Sequence, residues 1–589
     1  MKKKYIYGIV AVSISLMSCN DFLDKEPLDR FTDSPAYWSN RDNVENQCNK
    51  LYENYSGYGN GGGGGWYYFK SLSDDQASGT FTDWANVNVP AASENWKLPF
   101  TEIRRIGYIL HGLKISSLDE ATKKYYEGVA RLNRAWQYYQ LVRMYGDVQW
   151  IDEVIDPAKE EELYGERLDR DIVMDKVLED LNFACENITG TNKAFWNKGL
   201  AYAMKADITL FEGTFCKYRT VAENGKAPDN ARTQKYLQEC VKACEEIMKM
   251  NYSLSKTYKE IYNSISLKEN PEMIFIKAYA VEVFMHSTID YTSSSSNQSG
   301  ITKDAFEAFL FKDGKPLATT SENKNDAGEL MTVDAGVDAQ GKPLTAHYIN
   351  IRKLLDVRDA RLGALLDPIV YFKNWGWQRG EGAATMTSST GYGIGKFDNL
   401  TMSVNDRQNV GRNYTDAPLF WLSVVYLNYA EAKAELGTID QNDLDKTVNK
   451  LQARAGLPPM SLTPEADPAN NMGVSNLLWE IRRCRRCELM IDNWVRYWDL
   501  IRWHQLDKLD SKKYPDILKG ANIKAAIEYA NANPSDTDKR IDISLVDGTY
   551  IDASADKTRI FEARQYLYPI PSGQLTLNKN LKQNKGWEK

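Results

Sequence analysis

The sequence predicts an all-α fold, in which amphipathic helices pair into a scaffold and long irregular segments gather on one face. Two observations support this prediction. Apolar residues recur at helical spacing through much of the chain. Stretches rich in glycine, serine and aromatic residues interrupt that pattern at about 55–95, 286–350 and 370–418.

The helical pattern can be followed along the chain. Leu132, Trp136 and Tyr139 have i, i+4, i+7 spacing. The same periodicity predicts helices over Arg170 to Ile188, Gly199 to Glu212, Thr233 to Met250, and Leu422 to Leu436, which stops at Gly437. Small residues at Ala201, Ala203 and Ala206 allow a neighbouring helix to approach closely. Paired helices of this length are similar to tetratricopeptide-type hairpins.

The amino terminus has the layout of a cleaved secretory signal. Lys2 to Lys4 provide a basic start, and the 13 residues from Tyr5 to Met17 carry no charge. As a helix those 13 residues would extend about 20 Å, which is too short to cross a bilayer. No other stretch approaches 18 uncharged apolar residues. We therefore expect residues 1–18 to be a signal peptide.

The signal ends in Leu16-Met17-Ser18-Cys19, which resembles the bacterial lipobox. In that motif the cysteine thiol is acylated, because thioether formation needs a soft nucleophile that serine does not supply. Cys19 is therefore the predicted lipid attachment site and the predicted membrane contact. Removal of residues 1–18 takes away three lysines, so the net charge falls from −7 to −10. This negative net charge argues against nucleic-acid binding, which needs a basic face.

Few residues point to metal or catalytic chemistry. The seven other cysteines show no disulfide or zinc spacing apart from Cys484-Arg485-Arg486-Cys487, which lies in a predicted helix without a second pair. The four histidines form no zinc motif, and no nucleophile-elbow or phosphate-loop motif occurs. We expect no cofactor, while a structural calcium remains possible. The absence of these motifs disfavours an enzyme.

Short sequence matches run from one end of the mature chain to the other. They include, in order, Cys19–Leu28, Arg134–Val148, Lys198–Ala206, Tyr429–Ala432, Asn449–Pro458, Arg496–Trp503, Tyr568–Pro571 and Gln583–Trp587. Each motif is weak alone, but their shared order makes coincidence improbable. The chain thereby resembles the SusD/RagB family of nutrient-binding outer-membrane lipoproteins of the Bacteroidetes.

The resemblance implies both an architecture and a role. It implies tetratricopeptide-like helix pairs with a loop-rich ligand face, divided here as residues 1–18, 19–230 and 231–589. It further implies a lipid-anchored protein that faces the exterior of the outer membrane. Such a protein captures oligo- or polysaccharide without cleaving it and delivers it to a SusC-like TonB-dependent transporter.

Aromatic residues in the irregular segments are candidate glycan platforms, because a flat ring can stack on the apolar face of a sugar. A run of five glycines, Gly61 to Gly65, immediately precedes Trp66 and cannot form a stable element. The predicted glycan-binding residues are Trp66, Trp84, Tyr291, Trp375 and Trp377. Tryptophans in the helical motifs are interpreted as core residues, namely Trp96, Trp136, Trp494, Trp498 and Trp503.

Three alternatives remain open on the sequence alone. An oligopeptide-binding lipoprotein of a RagAB-like importer is the nearest, although 15 Trp and 35 Tyr favour sugar. A glycoside hydrolase would need two carboxylates, for example from Asp74-Asp75 or Glu381, at a separation that the sequence does not reveal. A helical scaffold that binds only proteins is the third.

Overall fold

The computed structural model of the protein describes residues 33–62, 72–293, 300–370, 377–378, 385–386, 388–492, 495–536, 543–554 and 556–588. The predicted signal peptide, Cys19, Trp66, Trp375 and Glu381 lie outside these ranges. Trp377 is placed by its backbone alone. In the described part of the chain, no helix is long and apolar enough to cross a membrane.

Helices dominate the amino-terminal part. They are α1 (Pro35–Trp38), α2 (Arg41–Lys50), α3 (Glu94–Ile115), α4 (Glu120–Tyr145), α5 (Glu160–Leu163), α6 (Arg170–Asn187), α7 (Lys198–Tyr218), α8 (Val221–Asn224) and α9 (Asn230–Met248). The side chains of Asp119, Asp169, Asn197 and Asp229 cap α4, α6, α7 and α9 by accepting hydrogen bonds from backbone N–H groups. The starts of α6, α7 and α9 lie within a few residues of those predicted, whereas the sequence analysis gave no start for α4.

The long helices pack in sequence order. α3 packs on α4, α4 on α6, α6 on α7, and α7 on α9. The contact between α7 and α9 depends on Gly213, because a Cβ atom there would lie 2.8 Å from the side chain of Leu237. A small residue at this point lets the two helix axes approach closely. The predicted scaffold of tetratricopeptide-like pairs is confirmed.

The carboxy-terminal helices are shorter. They are α10 (Glu260–Asn263), α11 (Thr288–Ser293), α12 (Lys303–Ala308), α13 (Arg352–Leu355), α14 (Ala360–Leu365), α15 (Val404–Gln408), α16 (Leu422–Glu435), α17 (Gln441–Lys446), α18 (Val448–Arg454), α19 (Asn476–Glu488), α20 (Val495–Arg502), α21 (Lys524–Ala532) and α22 (Ser572–Leu577). Short 3₁₀ turns occur at Leu51–Asn54, Leu506–Leu509, Pro515–Ile517 and Ala563–Tyr566. α16 contacts α7, α9 and α19, and so joins the two halves.

Small sheets accompany the helices. The strands are β1 (Gln76–Ala77), β2 (Met273–Lys277), β3 (Gly300–Ile301), β4 (Glu329–Val337), β5 (Pro343–Asn350), β6 (Leu366–Val370), β7 (Trp377–Gln378), β8 (Thr385–Met386), β9 (Tyr392–Ile394), β10 (Ala417–Trp421), β11 (Lys519–Asn522), β12 (Val546–Asp547) and β13 (Tyr550–Asp552). Pairing is antiparallel in the orders β1-β3, β2-β10, β11-β13-β12, β4-β5-β6-β9 and β7-β8.

The largest sheet corrects the sequence interpretation of 286–350 and 370–418 as irregular. β4 and β5 form a long hairpin, in which Glu329 pairs with Asn350 and Asp334 with Thr345. Met331 and two other alternate residues of β4, Val333 and Ala335, pack on a small separate cluster of Ala346, Tyr348 and Ile369. This period of two is typical of a half-buried strand.

Buried ion pairs connect the helices of the core. Arg502 on α20 donates two hydrogen bonds to Glu431 on α16, at 2.6 and 2.7 Å, and both side chains are buried. Arg170 on α6 is bound in the same way to Glu212 on α7, at 3.2 and 2.6 Å. Such bidentate pairs fix the geometry of the contact as well as its charge.

Cys484 and Cys487 pack inside the protein on α19, as the helix-packing interpretation predicted. Burial raises the pKa of Cys484 to about 11, so this side chain remains a thiol at neutral pH. Cys484 accepts a hydrogen bond from Arg361 at 3.7 Å, and Cys487 donates to the carbonyl of Ala308 at 3.5 Å. The pair is therefore part of the core.

The largest hydrophobic cluster includes residues on both sides of position 230, for example Leu132 and Leu427. The predicted division of the chain at this position stays a prediction. One continuous core thus supports the segments that carry the candidate site.

Candidate functional site

Segments from distant parts of the sequence meet at one surface, which we call the loop face. It consists of residues 57–62, 285–293 and 405–413 together with the β7–β8 hairpin. The N–H of Gly61 donates to the carbonyl of Met285 at 2.7 Å. The hydroxyl of Ser287 donates to the carbonyl of Gly61 at 2.8 Å and accepts from the N–H of Gly411 at 2.7 Å. Ser287 therefore holds three chain segments together.

Gly411 has a structural reason to be glycine. Its φ of +73° lies in the left-handed region, which residues with a Cβ adopt at a cost. A Cβ atom at this position would make only ordinary contact with the backbone of Gly61, at 3.6 Å, so the left-handed φ alone accounts for the glycine.

Asn413 fixes the start of α11 on the loop face. Its side-chain oxygen accepts hydrogen bonds from the N–H groups of Ile289 and Asp290, at 2.9 and 3.1 Å. Its amide nitrogen donates to the carbonyl of Asp406 at 2.6 Å. Backbone hydrogen bonds of 2.8 and 2.9 Å also pair Asn413 with His286. Asn413 is fully buried, so α11 begins from a rigid point.

His286 supports this frame as a neutral group. Its ring lies 5.0 Å from that of Tyr58 and 4.6 Å from that of Tyr279, and its Nε2 is 3.0 Å from the carbonyl oxygen of Thr415. Burial lowers the pKa of His286 to about 3. The imidazole is therefore uncharged at neutral pH and acts in packing.

Tyr291 lies at the centre of the loop face. Its ring is half-buried, and its hydroxyl is 3.4 Å from the carbonyl of Gly62. The β7–β8 hairpin, in which Trp377 pairs with Met386, approaches α11 through β8. Among the described residues, Gly62 and the β7–β8 hairpin thus lie next to α11.

Exposed polar side chains occur on α15, which neighbours the helix of Tyr291, and on the loop after it. Asn405, Asn409 and Arg412 are exposed, and α15 packs next to α11. Arg412 is held by an ion pair of 3.2 Å with Asp406. Amides and guanidinium groups can bind sugar hydroxyls through donors and acceptors. The sequence analysis did not single out these residues, although the polar run Asn405 to Asn409 in an interrupted segment was the available signal.

Trp84 differs from its predicted role. Its ring is 8% exposed, its indole N–H donates to the carbonyl of Ile560 at 2.6 Å, and Arg559 and Phe561 pack around it. A ring enclosed in this way offers no free face for stacking. Trp84 is therefore part of the core, and we leave it out of the proposed site.

Asp74 and Asp75, the carboxylates that a glycoside hydrolase would use, are buried in an ion-pair cluster. Both oxygens of Asp74 accept from Arg496, at 2.6 and 2.8 Å, and Asp75 accepts from Arg486 at 2.7 Å. Although burial acts to raise it, Arg486 and Arg496 hold the pKa of Asp74 below its usual range. Burial raises the pKa of Asp75 to about 6. The arrangement joins β1 to α19 and α20.

One group of possible metal ligands occurs in the described part of the chain, formed by Asp171, Glu212 and Cys216. Arginines already occupy the carboxylate oxygens, since Arg219 donates to Asp171 at 2.7 Å and Arg170 to Glu212 at 2.6 Å. The thiol of Cys216 is itself bonded to Glu212, at 3.2 Å, and burial raises its pKa to about 12. These residues therefore suit an ion-pair network and do not fit a metal.

Comparison with solved structures shows the same fold. A SusD-like carbohydrate-binding protein from Bacteroides fragilis aligns with a TM-score of 0.67 and 19% identity, over 93% of this chain and 100% of that one. A second SusD-like protein from Bacteroides fragilis gives 0.64 and 21%, over 95% and 100%. A laminarin-binding SusD-like protein gives 0.52 and 18%, over 93% and 100%.

The curated proteins contain no match to this chain. The family model described as the SusD family matches residues 244–587. That match covers more than half of the chain and includes α11, α15, α19 and the strands around the loop face. The protein therefore belongs to the SusD family.

Proposed function

We propose that this protein is a surface-exposed outer-membrane lipoprotein that binds an oligo- or polysaccharide on its loop face. It delivers this glycan to a SusC-like TonB-dependent transporter. The observation that carries the proposal is the contact of α11, which bears Tyr291, with Gly62 and with the β7–β8 hairpin above a buried hydrogen-bonded frame. Membership of the SusD family supports it, as do solved relatives named for carbohydrate and laminarin binding.

The proposed site combines two kinds of contact. The rings of Trp66, Tyr291, Trp375 and Trp377 would stack on the apolar faces of sugar rings, which removes apolar surface from water. Hydroxyl groups that leave water need partners, because an unpaired buried polar group is costly. The exposed side chains of Asn405, Asn409 and Arg412 provide those partners in the proposal.

The frame below the site supports a binding role. Ser287, Asn413 and His286 are each buried to within 1% of full burial and bonded to several segments. A site whose residues are already held in place by buried, hydrogen-bonded neighbours loses less conformational entropy when a ligand binds. This rigidity suits capture of a flexible polymer from solution.

The proposal is tested by gel retardation of the soluble form that begins after Cys19. The gels contain a panel of plant, bacterial and host polysaccharides. We expect one polymer class to retard the protein, with no change in the chain length of that polymer. Shortening of the polymer would instead indicate a glycoside hydrolase. Retardation by none of the polymers, together with binding of oligopeptides, would favour the peptide-importing alternative.

A further inference from the structure

A separate cavity of about 230 Å³ lies beside α19 and shares no lining residue with the loop face. α12, α19 and the segments around 469–472 and 508–517 enclose it. Ala469 and Asn471 at its mouth are exposed, so it opens to solvent. Its size is below that of typical small-molecule sites and suits one monosaccharide unit, not a chain.

Two aromatic rings in the wall of the cavity are fixed by their own hydrogen bonds. The indole N–H of Trp479 donates to Asp467 at 3.1 Å, and the hydroxyl of Tyr514 accepts from Lys508 at 3.1 Å. Both rings are half-buried, so part of each faces the cavity. Fixed aromatic surface of this kind suits the C–H face of a sugar ring.

The arginines that line the cavity already have carboxylate partners within the protein. Each guanidinium lies within 3.0 Å of an acidic side chain, in the pairs Arg482–Glu435, Arg483–Glu480, Arg486–Asp75 and Arg496–Asp74. Because these charges are balanced, the arginines shape the cavity and leave little net attraction for a ligand.

Lys508 is different from these arginines. Its side chain is largely buried, at 7% exposure, and its ammonium group donates to the carbonyl of Asn471 at 3.2 Å and to the hydroxyl of Tyr514 at 3.1 Å. Among the described residues no carboxylate forms an ion pair with it. An ammonium group has three donors, and a buried charge without a counter-charge is costly. Lys508 therefore provides an unmatched positive charge inside an aromatic-walled cavity.

We propose that this cavity is a second ligand site, which binds a single sugar unit that carries a carboxylate. The sugar ring lies against Trp479 and Tyr514, and its carboxylate pairs with Lys508. The choice of a sugar, as opposed to another small carboxylate, rests on the proposed function. A uronic acid, either free or at the end of a glycan, has this chemistry.

Calorimetric titration of the full chain in detergent with glucuronate and with glucose tests the proposal. The two probes differ only by the carboxylate. We expect glucuronate to bind at least tenfold more tightly than glucose, with a smaller difference at high salt because the pair is electrostatic. Lys508→Gln should abolish the preference. The exposed neighbour Lys512 provides the matched control, since Lys512→Gln should leave the preference intact.

Equal affinity for the two sugars, no glucuronate binding, or an unchanged preference in Lys508→Gln would overturn the proposal. Acetate that binds as tightly as glucuronate would overturn the assignment to a sugar. Thermal unfolding of Lys508→Gln and of Lys508→Met shows whether either variant folds, and the preference is measured in the one that does. Polysaccharide retardation reports the loop face separately, so failure of either site can be distinguished from failure of the other.

Discussion

Among single residues, Tyr291 has the most direct connection to the proposed glycan site, because its half-buried ring and its hydroxyl bond to Gly62 place it between the segments. We predict that Tyr291→Ala weakens polysaccharide retardation by about three- to tenfold. The physical reason is the loss of one stacking surface, worth roughly 0.5–1.5 kcal/mol. Gel retardation over a range of polymer concentrations measures the change.

A matched control for Tyr291 exists on another surface. Tyr164 is 37% exposed and lies just after α5, where its carbonyl contacts Asn580. Tyr164→Ala removes an exposed tyrosine without touching the loop face, and should leave retardation unchanged. Equal weakening by both substitutions would contradict the placement of the site.

His286 gives the loop-face frame a pH dependence. Its pKa is about 3 in the folded protein, below the ordinary value of 6.5. The unfolded chain therefore binds a proton at pH 6 that the folded chain does not, and the contribution of His286 to stability falls as the pH drops from 6.5 toward 3. The expected slope is about 1.4 kcal/mol per pH unit.

His286→Gln should remove that slope. The difference in the free energy of unfolding between wild type and variant should therefore shrink from pH 7 to pH 4 in denaturant titrations. Other groups titrate over the same range, among them Asp75 with its pKa of about 6, and the subtraction cancels them. If the difference in the free energy of unfolding did not change with pH, the pKa of His286 in the folded protein would be close to its ordinary value.

Residues also show where the sequence had too little information. Trp84 and Tyr291 both lie in segments with few helical signals, yet one ring is enclosed and the other borders the loop face. The difference arises from Arg559 and Phe561, which are almost 480 positions away in the chain and pack around Trp84. Contacts between residues so far apart in the chain do not affect the local composition. The residues next to an aromatic ring in the sequence therefore could not predict whether that ring is exposed.

Among the elements, α11 depends on a cap supplied from outside its own segment. Asn413→Ala removes the acceptor for two N–H groups at the start of α11 and a donor to Asp406. We predict a loss of about 1–2 kcal/mol in the free energy of unfolding, together with weaker polysaccharide retardation. Asn413→Asp keeps the acceptor, so it should retain more of both properties. Ser403→Ala, which removes the cap of α15 and a hydrogen bond to the Asp406 carboxylate, tests whether loss of another cap on the loop face has the same effect.

The contact between α16 and α20 allows a contrast between buried and exposed ion pairs. Despite burial, which acts to raise it, Arg502 lowers the pKa of Glu431 to about 2. Arg502→Met would leave that buried carboxylate with only the indole N–H of Trp503 at 2.6 Å and a 4.0 Å contact with Arg482, and we predict a loss of about 3–5 kcal/mol. Lys50→Met breaks the exposed pair with Glu53 and should change stability by less than about 1 kcal/mol. Chemical denaturation measures both, and equal effects would contradict the assignment of Arg502–Glu431 as a structural link.

Elements also differ in how well the sequence predicts them. α6 and α9 carry apolar residues at helical spacing, and α16 ends next to Gly437, so their predicted bounds are close to those observed. β4 carries its own signal, since Met331, Val333 and Ala335 alternate with Thr332, Asp334 and Gly336. That period of two lies in a stretch rich in polar residues, and the segment was interpreted as irregular for this reason. Pairing with β5 stabilises the strand, which no residue of β4 alone reveals.

For the whole molecule, the order of short motifs predicted the scaffold, because five of the motifs lie mainly on helices of the scaffold, namely α4, α7, α16, α18 and α20. The loop face was less predictable, because it forms by contact between segments more than 120 residues apart, as the bonds between Gly61 and Met285 and between Ser287 and Gly411 show. The sequence indicated which residues could bind a glycan. The structure adds that residues 57–62, 285–293 and 405–413 contact one another at the loop face.

The proposed membrane anchor is a property of the whole chain, and it depends on a single atom, the sulfur of Cys19. Cys19→Ala should abolish incorporation of labelled fatty acid and move the protein from the membrane fraction to the soluble fraction, because the described residues contain no helix that could span a membrane. Fractionation and metabolic labelling of cells that express each form provide the measurement.

Cys48 is the matched control for this experiment, since it is a buried cysteine on α2 that no lipid-transfer enzyme could reach in the folded protein. Cys48→Ala should keep both the label and the membrane location. A Cys19→Ala protein that stays with the membrane after a high-salt wash would require another means of attachment, such as tight binding to the transporter. Repeating the fractionation in cells that lack the transporter separates these cases, because a lipid holds the wild-type protein at the membrane without its partner, whereas protein–protein contact alone does not.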